Sequence, residues 1–141
     1  MAAALHLLVR FVHVVGMAVL LVAPALAWHA LRTDRHPYPL SRQHERLFWG
    51  AVGVMLATGV GNVGALGAPG PTTRWGTLLT VKLSLVLLLL VLSFVRTLAV
   101  VRLRDRRPVT DEGAALLRRS YAATAGVVLA IVALAEVLAH G

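Results

Sequence analysis

The sequence has no cysteine, a single lysine and few charged residues of any kind. Without cysteine, the chain can form no disulfide, no thiolate metal site and no cysteine nucleophile. Charged residues make up 14% of the chain, whereas soluble domains carry about 25%. A soluble domain of 141 residues could not hide a hydrophobic content of 58%, but a bilayer could. This balance indicates an integral membrane protein.

Four apolar segments are long enough to cross a bilayer, which takes about 20 residues per helix. They lie at about residues 4–31, 47–66, 75–101 and 114–139. Because the connections between them are short, consecutive helices are expected to run antiparallel. The sequence therefore predicts one all-α transmembrane domain, residues 1–141, folded as an up-down-up-down four-helix bundle.

The positive charges are distributed unevenly between the two ends of this bundle. The formal charge of +8 would suggest nucleic acid in a soluble protein, but here the arginines gather in and beside the first and third connections. The opposite end carries only Arg10, Arg74 and Lys82. The positive-inside rule then places the first and third connections in the cytoplasm. We expect a multi-pass protein of the cytoplasmic (inner) membrane, with both termini outside, lipid as its surroundings and no nucleic-acid partner.

Small residues recur every three or four positions along segments two and four. In lipid, helices associate through close backbone approach at small side chains. These stripes are therefore expected to face the bundle interior, while the Leu/Val faces meet lipid. The stripes are Gly53, Ala57, Gly61 and Ala65 in segment two, and Ala122, Gly126, Ala130 and Ala133 in segment four.

Ionisable and other polar side chains occur inside the predicted spans, where they are costly and often mark functional sites. Counting 1.5 Å per residue from the helix ends brings Arg10, Lys82 and Glu136 to one layer of the outer leaflet. We therefore predict a site in that layer. Its members are His6, Arg10, His13 and Met17 on one face of segment one, Asn62 in segment two, Lys82 in segment three, and Glu136 and His140 in segment four.

The residue types narrow the chemistry to two options. Imidazole suits copper, zinc and haem iron, and thioether suits Cu(I). The predicted metal ligands are His6, His13, Met17, Glu136 and His140. Alternatively, two histidines on different helices would ligate haem b, with Arg10 and Lys82 pairing its propionates and Asn62 beside them. The sequence shows no arrangement of residues typical of a hydrolase active site, so an enzyme is the less favoured interpretation.

The remaining histidines lie at the arginine-rich end. His29, His36 and His44 are surrounded in sequence by arginines. We expect these three side chains to be solvated rather than part of a site.

The second half of the chain resembles the copper-resistance D (CopD) family of membrane proteins. The stretch from Arg74 to Leu83 carries the family's glycine, two leucines and Lys-Leu ahead of a long Leu/Val run. The first helix shows the family's His-then-Gly tendency as His13 and Gly16. The other matching pieces are Thr58-Gly59-Val60 and Ala115-Leu116-Leu117-Arg118-Arg119-Ser120.

The resemblance implies copper transport or homeostasis, with a copper ion or a copper-carrying periplasmic protein as partner. Many members have about eight spans, so this chain resembles the four-helix core. Members usually carry a glutamate shortly after Arg-Arg-Ser, where this chain has Ala122 and Ala123. A fainter similarity, in His13 and Lys82-Leu83, is to the four-helix, haem-b-binding protoporphyrinogen oxidases. A third alternative is a non-catalytic accessory subunit, in a homo-oligomer or a larger membrane complex.

Overall fold

The computed structural model describes residues 2–33, 37–66, 70, 72–104 and 110–140, and nearly all of them are helical. No strand occurs in these ranges. The prediction of an all-α four-helix protein is therefore confirmed. The helices are α1 (Ala2–Thr33), α2 (Pro37–Leu66), α3 (Arg74–Arg104) and α4 (Asp111–His140).

Each of the last three helices begins at a residue suited to a helix N-terminus. Pro37 opens α2, where its missing N–H costs nothing and its fixed φ favours the first turn. The Thr73 hydroxyl accepts the backbone N–H of Gly76 at 3.0 Å and caps α3. Thr110 caps α4 in the same way. The negative charges of Asp111 and Glu112 in the first turn stabilise α4, because they lie at the positive end of the helix dipole. These residues define where the three helices begin.

The second helix begins about ten residues earlier than the sequence pattern indicates. The predicted connection, residues 32–46, is wrong over most of its length, because α2 is helical from Pro37 onwards. The polar stretch belongs to the bundle because Ser41, His44 and Glu45 are buried on the inward face of α2. Hydropathy alone does not reveal this, since the outward residues of the same turns are arginines.

The four helices pack in a ring, and polar contacts between them show that neighbours run antiparallel. α1 packs closely against α2 and α4, and α4 packs closely against α3, whereas the seam between α2 and α3 is looser. His13 of α1 meets Thr58 of α2, and Glu45 of α2 meets Arg96 of α3. The central apolar cluster is formed by Leu20, Phe48, Val52, Leu89 and Val128.

The outer surface of the bundle is apolar along most of its length. Large exposed side chains include Leu26, Val60, Leu87 and Phe94. Among the residues that the structure describes, three helical stretches are long and apolar enough to cross a membrane, by length and composition: Leu7–Thr33, Arg74–Arg102 and Asp111–Leu138. A surface of this kind is stable in lipid and not in water. The chain is a membrane protein, as the composition indicates.

The predicted inward orientation of the small-residue stripes is wrong. Ala57 on α2 and Ala122, Ala130 and Ala133 on α4 are exposed. Gly53 and Gly126 are exposed too, and a Cβ added at either would meet no other atom within 4 Å. The side chains at Gly61 and Ala65 lie outside the described residues.

Buried polar groups explain why the stripes face outward. The inward faces of α2 and α4 carry Glu45, Tyr121 and Thr124, all buried. Exposing a carboxylate or hydroxyl to hydrocarbon costs far more than exposing glycine or alanine. The polar groups therefore occupy the interior, and the small residues are left at the surface.

Candidate functional site

The first polar contact between helices joins His13 of α1 to Thr58 of α2. The distance between His13 Nδ1 and Thr58 Oγ1 is 2.7 Å. Both side chains are half-buried, and the His13 ring also lies near the backbone of Gly59. This contact lies in the half of the bundle where the sequence places the predicted site.

The contacts of Thr58 fit one tautomer of His13. The Thr58 hydroxyl lies 2.8 Å from the carbonyl oxygen of Val54, to which it can donate its single hydrogen. In the tautomer with the proton on Nδ1, His13 donates to Thr58 Oγ1 and completes this arrangement. The other ring nitrogen, Nε2, is left with its lone pair in the neutral imidazole. That is the state in which histidine binds a metal ion.

Two methionines lie about one helical turn along the chain from His13 or from its partner Thr58. Met17 follows His13 by four residues and is half-buried on the same side of α1. Met55 of α2 packs on the α1 backbone, with Sδ only 2.9 Å from the position that a Cβ on Gly16 would take. Gly16 therefore makes room for the Met55 sulfur. The Lys82 ammonium lies within electrostatic range of His13.

The structure describes only some of the other predicted site residues. Arg10 and Glu136 are exposed. The side chains of His6, Asn62 and His140 lie outside the described residues. Within the described part of the chain, no group of three or more His, Asp or Glu side chains could hold a metal ion.

A second polar cluster lies in the opposite half of the bundle, and sequence reasoning missed it. Its centre is the Glu45 carboxylate, which is 5% exposed. Arg96 of α3 donates to both oxygens, from Nε to Oε1 at 2.7 Å and from Nη2 to Oε2 at 3.2 Å. The Thr97 hydroxyl donates to Oε2, and the Tyr121 hydroxyl donates to Oε1 at 3.2 Å. Three helices therefore meet at one carboxylate.

The Arg96 guanidinium is enclosed on every side. The residue is 2% exposed, and its Nη1 donates to the Thr124 hydroxyl of α4. The guanidinium carbon lies 4.6 Å from the centre of the Phe48 ring and 5.0 Å from that of Tyr121. A buried charge is tolerated when it is paired and hydrogen-bonded, and Arg96 meets both conditions.

His44 is buried in this cluster, so the prediction that it is solvated is wrong. It is 5% exposed, its Nδ1 lies 3.3 Å from Glu45 Oε1, and its ring packs edge-on against Tyr121. The helix register explains the error, because His44 follows Ser41 by three residues on the inward face of α2. His29, by contrast, is exposed as predicted, and His36 lies outside the described residues.

Two signals in the sequence could have revealed the cluster. Glu45 is the only acidic residue between Asp34 and Asp105. Arg96 stands inside an apolar run of segment three, where an ionisable residue is itself a sign of a partner. Both signals are easy to overlook, because Arg96 lies close to the arginines of the third connection and Glu45 lies before the second apolar segment.

The two described interior histidines are too far apart to ligate one iron. His13 contacts Thr58, and His44 precedes Thr58 by 14 positions on the same helix. At 1.5 Å per residue that separation is about 21 Å. The geometry does not favour haem held between these two side chains.

The sequence profile of the family described as CopD, copper resistance protein D, matches residues 38–138. That range includes α3 and most of α2 and α4, and therefore Thr58, Lys82 and the whole Glu45 cluster. No curated protein and no solved structure matches the chain at a significant level.

Proposed function

The chain belongs to the copper resistance protein D family, and from this premise we propose that it handles Cu(I) at a site centred on His13. In this proposal the site lies in the outer leaflet, and the protein takes part in copper transport or homeostasis. Copper is the cargo, received as the ion or from a copper-carrying periplasmic protein.

The observation that carries the proposal is the orientation of the His13 ring. The bond from Nδ1 to Thr58 Oγ1 fixes the ring and leaves the Nε2 lone pair for a metal. Histidine ligands in proteins almost always have their other ring nitrogen held in this way. Thr58 therefore acts as a positioning residue for His13.

The neighbouring sulfur atoms select the oxidation state. Met17 and Met55 bring thioethers near the imidazole, and thioethers prefer Cu(I) over harder divalent ions. The predicted ligands His6, Glu136 and His140 stay candidates for further donors from the helix ends.

The Lys82 ammonium opposes a cation bound at His13, because like charges repel strongly where water is scarce. Such repulsion weakens retention of the ion and suits a site that passes copper on. Lys82 therefore tunes the affinity of the site and is not one of its ligands.

Titration of the purified protein with Cu(I) under anaerobic conditions, against a chromophoric chelator, tests the proposal. We expect His13→Ala and Thr58→Val to weaken binding by about tenfold or more. His29→Ala is the matched control, since His29 lies on the same helix and is exposed; it should bind as the wild type does. Wild-type protein without Cu(I) affinity, or His13→Ala with unchanged affinity, contradicts the proposal.

The membrane orientation is open to a direct test because the chain has no cysteine. In the proposed topology Thr72 faces outside and Gln43 faces the cytoplasm. A membrane-impermeant maleimide on intact cells should label Thr72→Cys and leave Gln43→Cys unlabelled until the cells are opened. The reverse pattern contradicts the orientation and moves the His13 site to the inner leaflet.

A further inference from the structure

The seam between α2 and α3 holds a groove that neither helix fills. Its volume is about 380 Å³, and it opens on the bundle surface at the arginine-rich end. Trp49, Val100 and Val101 form its apolar walls, and Glu45 and Thr97 form its floor. The groove therefore lies directly over the buried ion pair, at the seam where the helices pack least closely.

Two arginines stand beside this groove on one stripe of α2. Arg42 and Arg46 are one helical turn apart, line the groove and are exposed. Among the side chains that the structure describes, neither guanidinium forms an ion pair. The nearby Glu45 does not neutralise them, because its carboxylate is already held by Arg96. The mouth of the groove therefore carries two uncompensated positive charges.

Along α2, the two arginines come before the apolar side chain of Trp49. Trp49 follows Arg46 by three residues and Arg42 by seven residues. The separation between Arg42 and Trp49 is about 10 Å along the helix axis. Trp49 is half-buried, and its indole N–H donates to Thr97 Oγ1 at 3.0 Å, so the ring is held as a fixed wall. The arginines lie towards the end of the bundle and the apolar wall lies deeper.

We propose that this groove binds one anionic phospholipid, with its phosphate at Arg42 and Arg46 and an acyl chain against Trp49, Val100 and Val101. Guanidinium groups bind phosphate oxygens through paired hydrogen bonds, and basic pockets between membrane helices are suited to acidic headgroups. Because the walls are apolar and face the bilayer, the rest of the ligand must be hydrocarbon. This inference is independent of copper.

The lipid would close the looser seam of the bundle. Val101 is 55% exposed and Val100 is 3% exposed, so the wall runs from the surface to the interior. An acyl chain on this wall would shield Glu45 and Thr97 from water entering at the membrane surface. Binding should therefore stabilise the folded protein as well as recruit the lipid.

Native mass spectrometry in detergent tests the proposal, with phosphatidylglycerol and phosphatidylcholine of the same acyl chains as probes. We expect the wild type to retain phosphatidylglycerol at least about tenfold more strongly than phosphatidylcholine. The double variant Arg42→Gln/Arg46→Gln should lose this preference. The matched control Arg32→Gln/Arg119→Gln removes two exposed arginines at the same end of the bundle that do not line the groove, and it should keep the preference.

Two further measurements separate the possible ligands. Val101→Trp narrows the groove and leaves both arginines, so it should weaken phosphatidylglycerol binding. It should not create a preference for inorganic phosphate. The thermal midpoint of the wild type should rise on adding phosphatidylglycerol and not on adding inorganic phosphate. Equal binding of the two lipids, loss of preference in the control variant, or an equal effect of inorganic phosphate would each overturn the proposal.

Discussion

Replacing Arg96 by methionine should destabilise the protein by about 3 kcal/mol, because it leaves the Glu45 carboxylate buried without its counter-ion. Arg96 is 2% exposed and makes both of the charge-assisted contacts to Glu45. Methionine fills similar volume without the charge. Breaking a buried pair costs about 3–5 kcal/mol. We expect the lower end, since the hydroxyls of Thr97 and Tyr121 still donate to the carboxylate.

A double-mutant cycle separates the loss of the pair from the loss of packing. Glu45→Leu combined with Arg96→Met removes both charges, so it should be less destabilising than Arg96→Met alone. Unfolding in mixed micelles with increasing SDS, followed by helical circular dichroism, gives the free energies. Arg119→Met is the control: Arg119 is exposed on α4, and its loss should change stability by no more than about 0.5 kcal/mol.

Two outcomes would refute this reasoning. The first is a cost of less than about 1 kcal/mol for Arg96→Met, which would mean that water or lipid headgroups reach Glu45. The second is simple additivity in the cycle, which would mean that the two charges stabilise the fold independently.

Two further predictions concern the His13 site. Gly16→Ala should displace the Met55 sulfur, which would lie 2.9 Å from the new Cβ. Cu(I) binding should then weaken severalfold, with little change in stability. The control is Gly53→Ala, whose Cβ meets nothing within 4 Å; it should leave Cu(I) binding unchanged and stabilise the helix by about 0.5–1 kcal/mol. Unchanged affinity in Gly16→Ala would remove Met55 from the site. Lys82→Gln should strengthen Cu(I) binding by about tenfold, since it removes a like charge near His13; weaker binding in the chelator competition would show that Lys82 supports the site instead.

The positions of the helices that are apolar along their whole length can be predicted from the sequence. The first, third and fourth predicted segments agree closely with α1, α3 and α4, because long runs such as that around Leu89 leave no alternative to a membrane helix. The predicted start of the second helix is too late, because the buried polar Ser41, His44 and Glu45 are interleaved with the exposed Arg42 and Arg46. No hydropathy average distinguishes that stretch from a connection.

The candidate site could be predicted only in part, for a related reason. His13 and Met17 stood out because polar and sulfur groups are rare in α1, and the bond to Thr58 follows from the antiparallel packing of α1 and α2. The sequence does not show which face of α2 and α4 turns inward. Both the small residues and polar groups such as Glu45 are candidates for the interior of the bundle. Contacts between the helices decide which of them is buried, and a single sequence does not show those contacts.

The most direct test of the copper proposal is the X-ray absorption spectrum of the Cu(I)-loaded protein. If copper binds at His13 with methionine neighbours, the spectrum should show both nitrogen and sulfur scatterers in the first coordination shell. His13→Ala should remove the nitrogen contribution, and Met55→Leu should reduce the sulfur contribution. A shell of oxygen and nitrogen alone, unchanged in both variants, would contradict a copper site at this position.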